Sequence, residues 1–137
     1  MKGTSIKDCS LIKLNKISNL NGNISIVEEN ATFPFKIERI YYLYDVPNHE
    51  SRGGHAHKEL YQLIVAASGS FNISIFDGLS KISFFLNKPN EGLLIVPVIW
   101  RELDQFASGS ICLVLASKFY NEDDYIRIFP EYINYKI

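Results

Sequence analysis

The chain has 137 residues, 47% of them apolar, with 14 lysines and arginines against 15 aspartates and glutamates. That length suits one domain with a real core, and the balanced charge excludes the single-sign field expected of a nucleic-acid-binding or membrane-surface protein. Any anionic ligand must be held by local arginines. The opening residues, MKGTSIKDCS, contain no signal-peptide apolar run, and no later stretch approaches the roughly 20 apolar residues of a membrane span. The expectation is a soluble cytoplasmic chain without nucleic-acid or membrane partners. Cys9 and Cys112 lie far apart without CxxC spacing, which reads as two ordinary thiols of a reducing compartment.

In chain order, residues 11–14 and 24–28 read as strands around the Asn21-Gly22 turn. Residues 35–44 alternate. One face carries Phe35, Ile37, Arg39, Tyr41 and Leu43, and the other Lys36, Glu38, Ile40, Tyr42 and Tyr44. Arg39 and Tyr41 thus share an otherwise apolar face. Residues 60–67 form the next strand. Phe71, Ile73 and Ile75 then alternate with polar neighbours, Asp77-Gly78 supplies hairpin chemistry, and Ile82, Phe84 and Leu86 alternate after it. Further strands are predicted at 93–96 and 111–116, with turn signals at Ser68-Gly69, Pro89-Asn90 and Ser108-Gly109. Near the end, Asn121 followed by Glu122, Asp123 and Asp124 offers a cap and acidic first turn for a short helix over 121–127. The pattern is all-β, a sandwich or a barrel, in a single domain spanning 1–137.

Chemistry concentrates in Arg52-Gly53-Gly54-His55-Ala56-His57. If this opens a strand, His55 and His57 project to one face and two imidazoles line one cavity. His57, Gln62 and Gly69 fit the spacing of the first cupin motif, with Gln62 where metal-binding cupins have Glu. The second motif, from Gly92 through Pro97 to Trp100, Arg101 and Glu102, contains no histidine. A neutral amide and a guanidinium are poor replacements for a carboxylate and an imidazole, so no metal or other cofactor is expected. Two histidines without a metal suit general acid-base work. Moving a sugar carbonyl to the neighbouring carbon requires this, with Tyr41 or Arg39 as donors to the enediolate oxygen.

Across nearly its whole length the chain resembles the thymidine diphosphate (TDP)-4-keto-6-deoxyglucose 3,4-ketoisomerases, WxcM-like sugar isomerases of the cupin superfamily. The resemblance rests on Ile26 to Asn30, Ile37 to Tyr42, Arg52 to Lys58, Gly92-Leu93, Pro97, Trp100, Val114 to Ser117, and Tyr120 through Asp124 to Arg127. It implies a cupin jelly-roll barrel forming a homodimer that exchanges N-terminal strands, and a TDP-linked 4-keto-6-deoxy sugar as partner. It also implies proton transfer between C3 and C4 in deoxyamino-sugar biosynthesis for surface polysaccharide such as O-antigen. By resemblance, His57 is the principal base and His55 its partner in proton delivery. Tyr41 places a hydroxyl near the sugar, Arg39 and Arg52 hold the diphosphate, and Trp100 flanks the ligand or packs beneath the base. Two positions depart from the pattern, Asn21 where relatives have Arg and Arg101 where many have His. Both are expected to border the pocket beside Gln62, and the C4 configuration of the product stays open between gluco and galacto. Two other readings stand beside this one, a metal-free sugar-nucleotide 3,5-epimerase and a non-catalytic sugar-nucleotide-binding cupin.

Overall fold

The computed structural model describes residues 2–137, leaving Met1 of the expected 1–137 domain outside the described residues. The strands are β1 (Ser10–Lys13), β2 (Asn15–Asn19), β3 (Gly22–Ile26), β4 (Arg39–Leu43), β5 (Arg52–His57), β6 (Gln62–Ser68), β7 (Phe71–Phe76), β8 (Lys81–Leu86), β9 (Glu91–Ile95), β10 (Trp100–Asp104), β11 (Ile111–Ala116) and β12 (Tyr125–Ile126), followed by α1 (Phe129–Lys136). Two five-stranded antiparallel sheets run β1-β9-β6-β11-β4 and β12-β5-β10-β7-β8, while β2 and β3 form a separate ribbon. This is a mostly-β chain with one short C-terminal helix, a cupin-like sandwich. No helix among the described residues is long and apolar enough to cross a membrane.

The alternating side chains of the two sheets meet in the middle. Ile64 and Ala66 of β6, Leu93 and Ile95 of β9 and Val114 of β11 pack against Phe71, Ile73 and Ile75 of β7 and Leu103 of β10. Each sheet also buries its other face, which is why β6 reads as a continuous apolar run rather than an alternating one. On the first sheet, Leu63, Val65 and Leu115 are covered by Leu14, Phe33 and the half-buried Phe35 and Ile37. On the second, Ala56, Val98, Trp100 and Ile126 are covered by Tyr132 of α1. Gly69 closes the β6–β7 turn at φ +70°, and a Cβ there would run into Ser110.

Two predicted elements are corrected. The run 35–44 is a strand only over Arg39–Leu43. Phe35 and Ile37 belong to the outer cluster while Tyr41 and Leu43 pack toward the inner one, so these four apolar residues do not share a face. At the C-terminus, the predicted helix over 121–127 is a single 3-10 turn (Glu122–Asp124) capped by Asn121. Tyr125 and Ile126 then extend to pair with His57 and Ala56. The α-helix follows, with Pro130 in its first turn and no side-chain cap, as proline's fixed φ allows at that end.

Candidate active site

Strand β5 carries the site. Its register against β10 pairs His55 with Arg101 and Arg52 with Leu103, with a shift between them of the kind that re-aims side chains at sheet irregularities. Ala56 points outward under α1, so His55 and His57 point inward, as strand alternation requires. Val98 closes one end of this segment. Its amide donates to the His57 carbonyl at 2.7 Å, and it is fully buried with φ +62°, a strained setting for a β-branched residue.

The imidazoles form part of a chain. His55 Nε2 and His57 Nε2 are 3.1 Å apart, and His57 Nδ1 is 3.1 Å from Asp124 Oδ2. The other Asp124 oxygen accepts the Glu59 amide at 2.9 Å, and the Asp124 carbonyl accepts the Lys58 amide at 2.8 Å. Tyr125 lies against both rings, with centroids 5.1 Å from His55 and 4.3 Å from His57. Burial holds both histidines far below the usual imidazole range, and the Arg101 charge adds to the shift. Burial also pushes Asp124 up, but hydrogen bonds from His57 and the Glu59 amide outweigh it and leave the carboxyl lowered. At neutral pH the chain is therefore carboxylate, neutral imidazole, neutral imidazole.

A second hydrogen-bonded chain borders the same cavity. Arg101, 1% exposed, donates through Nε and Nη2 to the Ile99 carbonyl and through Nη1 to Gln62 Oε1. Gln62 Nε2 donates to the Tyr41 hydroxyl at 3.0 Å. Tyr41, Gln62, Arg101 and His55 all border one cavity of about 190 Å³, together with Arg52, Tyr125 and Arg127. Two of the four ligand positions of a metal-binding cupin are thus taken by an amide and a cation bonded to each other, and this donor set does not fit a transition metal.

Arginines surround the opening. Arg52 and Arg127 border the cavity. Arg127 lies 4.0 Å over the Tyr125 ring and pairs with Glu122. Arg39 lies beside the Tyr41 and Tyr120 rings, with Nε and Nη2 buried and, among the described residues, unpartnered. Buried guanidinium nitrogens without an acceptor are costly, and an anionic ligand is the natural remedy.

Of the sequence-predicted residues, the structure brings His55, Tyr41, Gln62, Arg52 and Arg101 to one cavity and sets His57 behind His55. The two histidines are set differently. His57 is 0% exposed and occupied on both nitrogens, so the imidazole facing the cavity is that of His55. Trp100 does not line that cavity. It occupies the outward face of β10, its ring against Phe129 and Tyr132 and its Nε1 donating to Glu102 at 2.9 Å. Asn21 sits exposed at the tip of the β2–β3 ribbon and is not among the residues that line the cavity. Sequence reasoning missed Asp124, Tyr125 and Arg127 as site residues, although the run Asp124 to Arg127 stood out in the resemblance.

A two-sheet sandwich whose cavity is bordered by His55, Tyr41 and three arginines, Arg52, Arg101 and Arg127, defines a cupin-like protein. The chain belongs to the FdtA family of WxcM-like, C-terminal proteins, whose family model matches residues 7–137. It is 40% identical over 125 residues, 91% of this chain and 90% of the relative, to a TDP-4-oxo-6-deoxy-alpha-D-glucose-3,4-oxoisomerase of Aneurinibacillus thermoaerophilus. The crystal structure of a 3,4-ketoisomerase from Helicobacter canadensis superimposes with a TM-score of 0.92 at 40% identity, covering 94% of this chain and 97% of that one. A histidine-to-asparagine variant of the Thermoanaerobacterium thermosaccharolyticum 3,4-ketoisomerase QdtA, in complex with TDP-4-keto-6-deoxyglucose, gives 0.92 at 37% identity over 93% of both chains.

Proposed function

We propose that this chain is a 3,4-ketoisomerase that moves the carbonyl of TDP-4-keto-6-deoxyglucose from C4 to C3. The observation that carries the reading is the Asp124–His57–His55 chain ending at the cavity. Ionised Asp124 only accepts, so His57 carries its proton on Nδ1 and accepts on Nε2. His55 must then donate from Nε2, which leaves the Nδ1 lone pair as the base.

In the proposed reaction, His55 Nδ1 takes the proton from C3. The C3–H electrons form the C3–C4 double bond, and the carbonyl pair moves onto O4, where the Tyr41 hydroxyl meets the developing charge. The O3 proton passes to O4, the new carbonyl forms at C3, and His55 returns its proton to C4. Protonation of His55 in the middle of this sequence is favoured by the neighbouring imidazole and carboxylate, as in other base-orienter pairs. Arg39, Arg52 and Arg127 hold the diphosphate, where planar guanidinium groups bind oxygens in pairs.

The working unit in this reading is a cytoplasmic single-domain protomer paired in a homodimer with exchanged N-terminal strands, serving deoxyamino-sugar biosynthesis. Exposed Ile17, Leu20 and Ile24 on the ribbon, exposed Ile40 and Tyr42 on edge strand β4 and exposed Tyr44 just beyond it support the exchange, since apolar edges of this kind are normally covered. Asn21 reaches a pocket only through it. The test is product NMR after incubation with TDP-4-keto-6-deoxyglucose. The C4 carbonyl signal is expected to give way to one at C3. Inversion at C3 or C5 with the carbonyl unmoved identifies an epimerase, and tight binding with unchanged sugar a binding module.

A further inference from the structure

We propose that Gln62 is a positioning residue that fixes the direction of the Tyr41 hydroxyl, its amide held by Arg101 so that Tyr41 must aim its proton into the cavity. The inference rests on the reading of Tyr41 given above and adds the means by which its polarity is set.

The argument is one of donor and acceptor inventory. A guanidinium has five N–H donors and no acceptor. Arg101 Nη1 faces the amide of Gln62, so the group it meets is the amide oxygen. The amide nitrogen then faces Tyr41 at 3.0 Å, and an NH2 group can only donate. The tyrosine oxygen accepts there, and its own O–H is left for another partner. Among the described residues no such partner is recorded, and Tyr41 borders the cavity.

Arg101 itself is locked. Two further nitrogens grip the Ile99 carbonyl at 3.2 and 3.0 Å, and it forms no ion pair among the described residues. The guanidinium charge is thus transmitted through one amide to one hydroxyl, and hydrogen bonds in such a row polarise one another. Asp124 acts with the opposite sign, through His57, on the base. The cavity is bounded by an acceptor made ready by an anion and a donor made ready by a cation.

Gln62→Glu is the discriminating substitution. It preserves shape, and the introduced carboxylate still accepts from Arg101, but its second oxygen now accepts the Tyr41 proton and turns it away from the substrate. The expected result is a kcat about 100-fold lower with KM changed less than threefold, the scale of losing one oxyanion donor. In a Tyr41→Phe background the same change is expected to alter kcat less than twofold, because there is no hydroxyl left to misdirect. Equal losses in both backgrounds would show that the introduced carboxylate acts on fold or on the base, and would overturn the inference. Should Gln62→Glu not fold by circular dichroism, Gln62→Met replaces it, with an expected loss of about tenfold that again vanishes without the Tyr41 hydroxyl. A slow Tyr41→Phe beside a fully active Gln62→Glu overturns this inference alone. A fully active Tyr41→Phe removes the role of Tyr41 and this inference with it.

Discussion

The Nε2 atoms of His55 and His57 face each other at 3.1 Å, and because the other nitrogen of His57 faces Asp124, one proton arrangement satisfies both contacts. The arrangement ranks the two histidines. In the proposed reaction His55 meets the substrate and His57 sets its tautomer, so the same substitution is expected to have different consequences at the two positions. His55→Asn is expected to lower kcat by about 1000-fold or more, within the range for loss of a general base, and to abolish loss of the C3 deuteron from labelled substrate. His57→Asn keeps an N–H toward Asp124 and leaves the base in place, and a fall of roughly 10- to 100-fold is expected. Steady-state rates of both variants check the ranking. A reversed order would restore His57 to the base role that the resemblance suggests.

Asp124 reaches across 67 residues to His57, and its replacement by the isosteric amide has a forced outcome. The Glu59 amide still needs an acceptor, so in Asp124→Asn the side-chain oxygen stays there and the new NH2 group turns to His57 Nδ1. His57 must then accept on Nδ1 and donate from Nε2, and His55 must accept on Nε2 and protonate on Nδ1, where the base had been. Asp124→Asn is thus expected to cost kcat about 100- to 10,000-fold, the span set by misplaced tautomers and lost bases, with little change in melting temperature. Nitrogen-15 NMR of the imidazoles reads the tautomers directly. Unchanged shifts on both rings contradict the relay.

The neutral pair has a pH signature in stability. Burial holds His57 down to about 4 and His55 lower still, whereas an unfolded histidine titrates near 6.5. Below about 6.5 the unfolded chain takes up protons that the folded chain refuses, so unfolding free energy falls as pH drops toward 4 and is level above about 7. Asp124 adds to the loss at the acid end, since its lowered carboxyl gives up its contribution only as it protonates. Urea midpoints measured from pH 4.5 to 7.5 are expected to decline steadily below about 6.5. The slope is expected to be shallower in His55→Asn, and an equal slope in that variant excludes a contribution from His55.

Much of this was legible in the sequence because it is local. Asp77-Gly78 between two alternating runs marks the β7–β8 hairpin, whose turn Gly78 takes φ +101°. The HxH spacing alone puts both imidazoles on one side of β5. What escaped depends on pairing between distant segments. Asn121 does cap a turn, but the helix it promises is cut short because Tyr125 and Ile126 gain more from joining β5. The true helix begins without a side-chain cap and leaves no comparable mark. Which face Trp100 takes is fixed by the register of β10 with β5 and β7, which no local pattern encodes. Asp124 was read as part of a helix's acidic first turn, and only the fold shows that its carboxylate serves a histidine.

The outward face of β10 is a structural seam, and its residues are expected to separate from those of the cavity. Tyr132 is fully buried, and its hydroxyl donates toward the Phe76 and Val98 carbonyls at 3.0 Å each. Tyr132→Phe keeps the ring but strips a partner from both carbonyls, that of Val98 keeping the Lys136 ammonium. A loss of about 1–3 kcal/mol follows, a drop of several degrees in melting temperature for a chain of this size. Trp100→Phe leaves an aromatic ring against Phe129 and Tyr132 and removes only the bond to Glu102, for about 1 kcal/mol. Both variants are expected to keep kcat/KM within about threefold at temperatures where they are folded, because neither ring borders the cavity. Calorimetry and steady-state assays on the same preparations separate the two effects. A collapse of kcat/KM in folded Trp100→Phe would return that residue to the substrate face, and with it the reading in which the ring flanks the ligand.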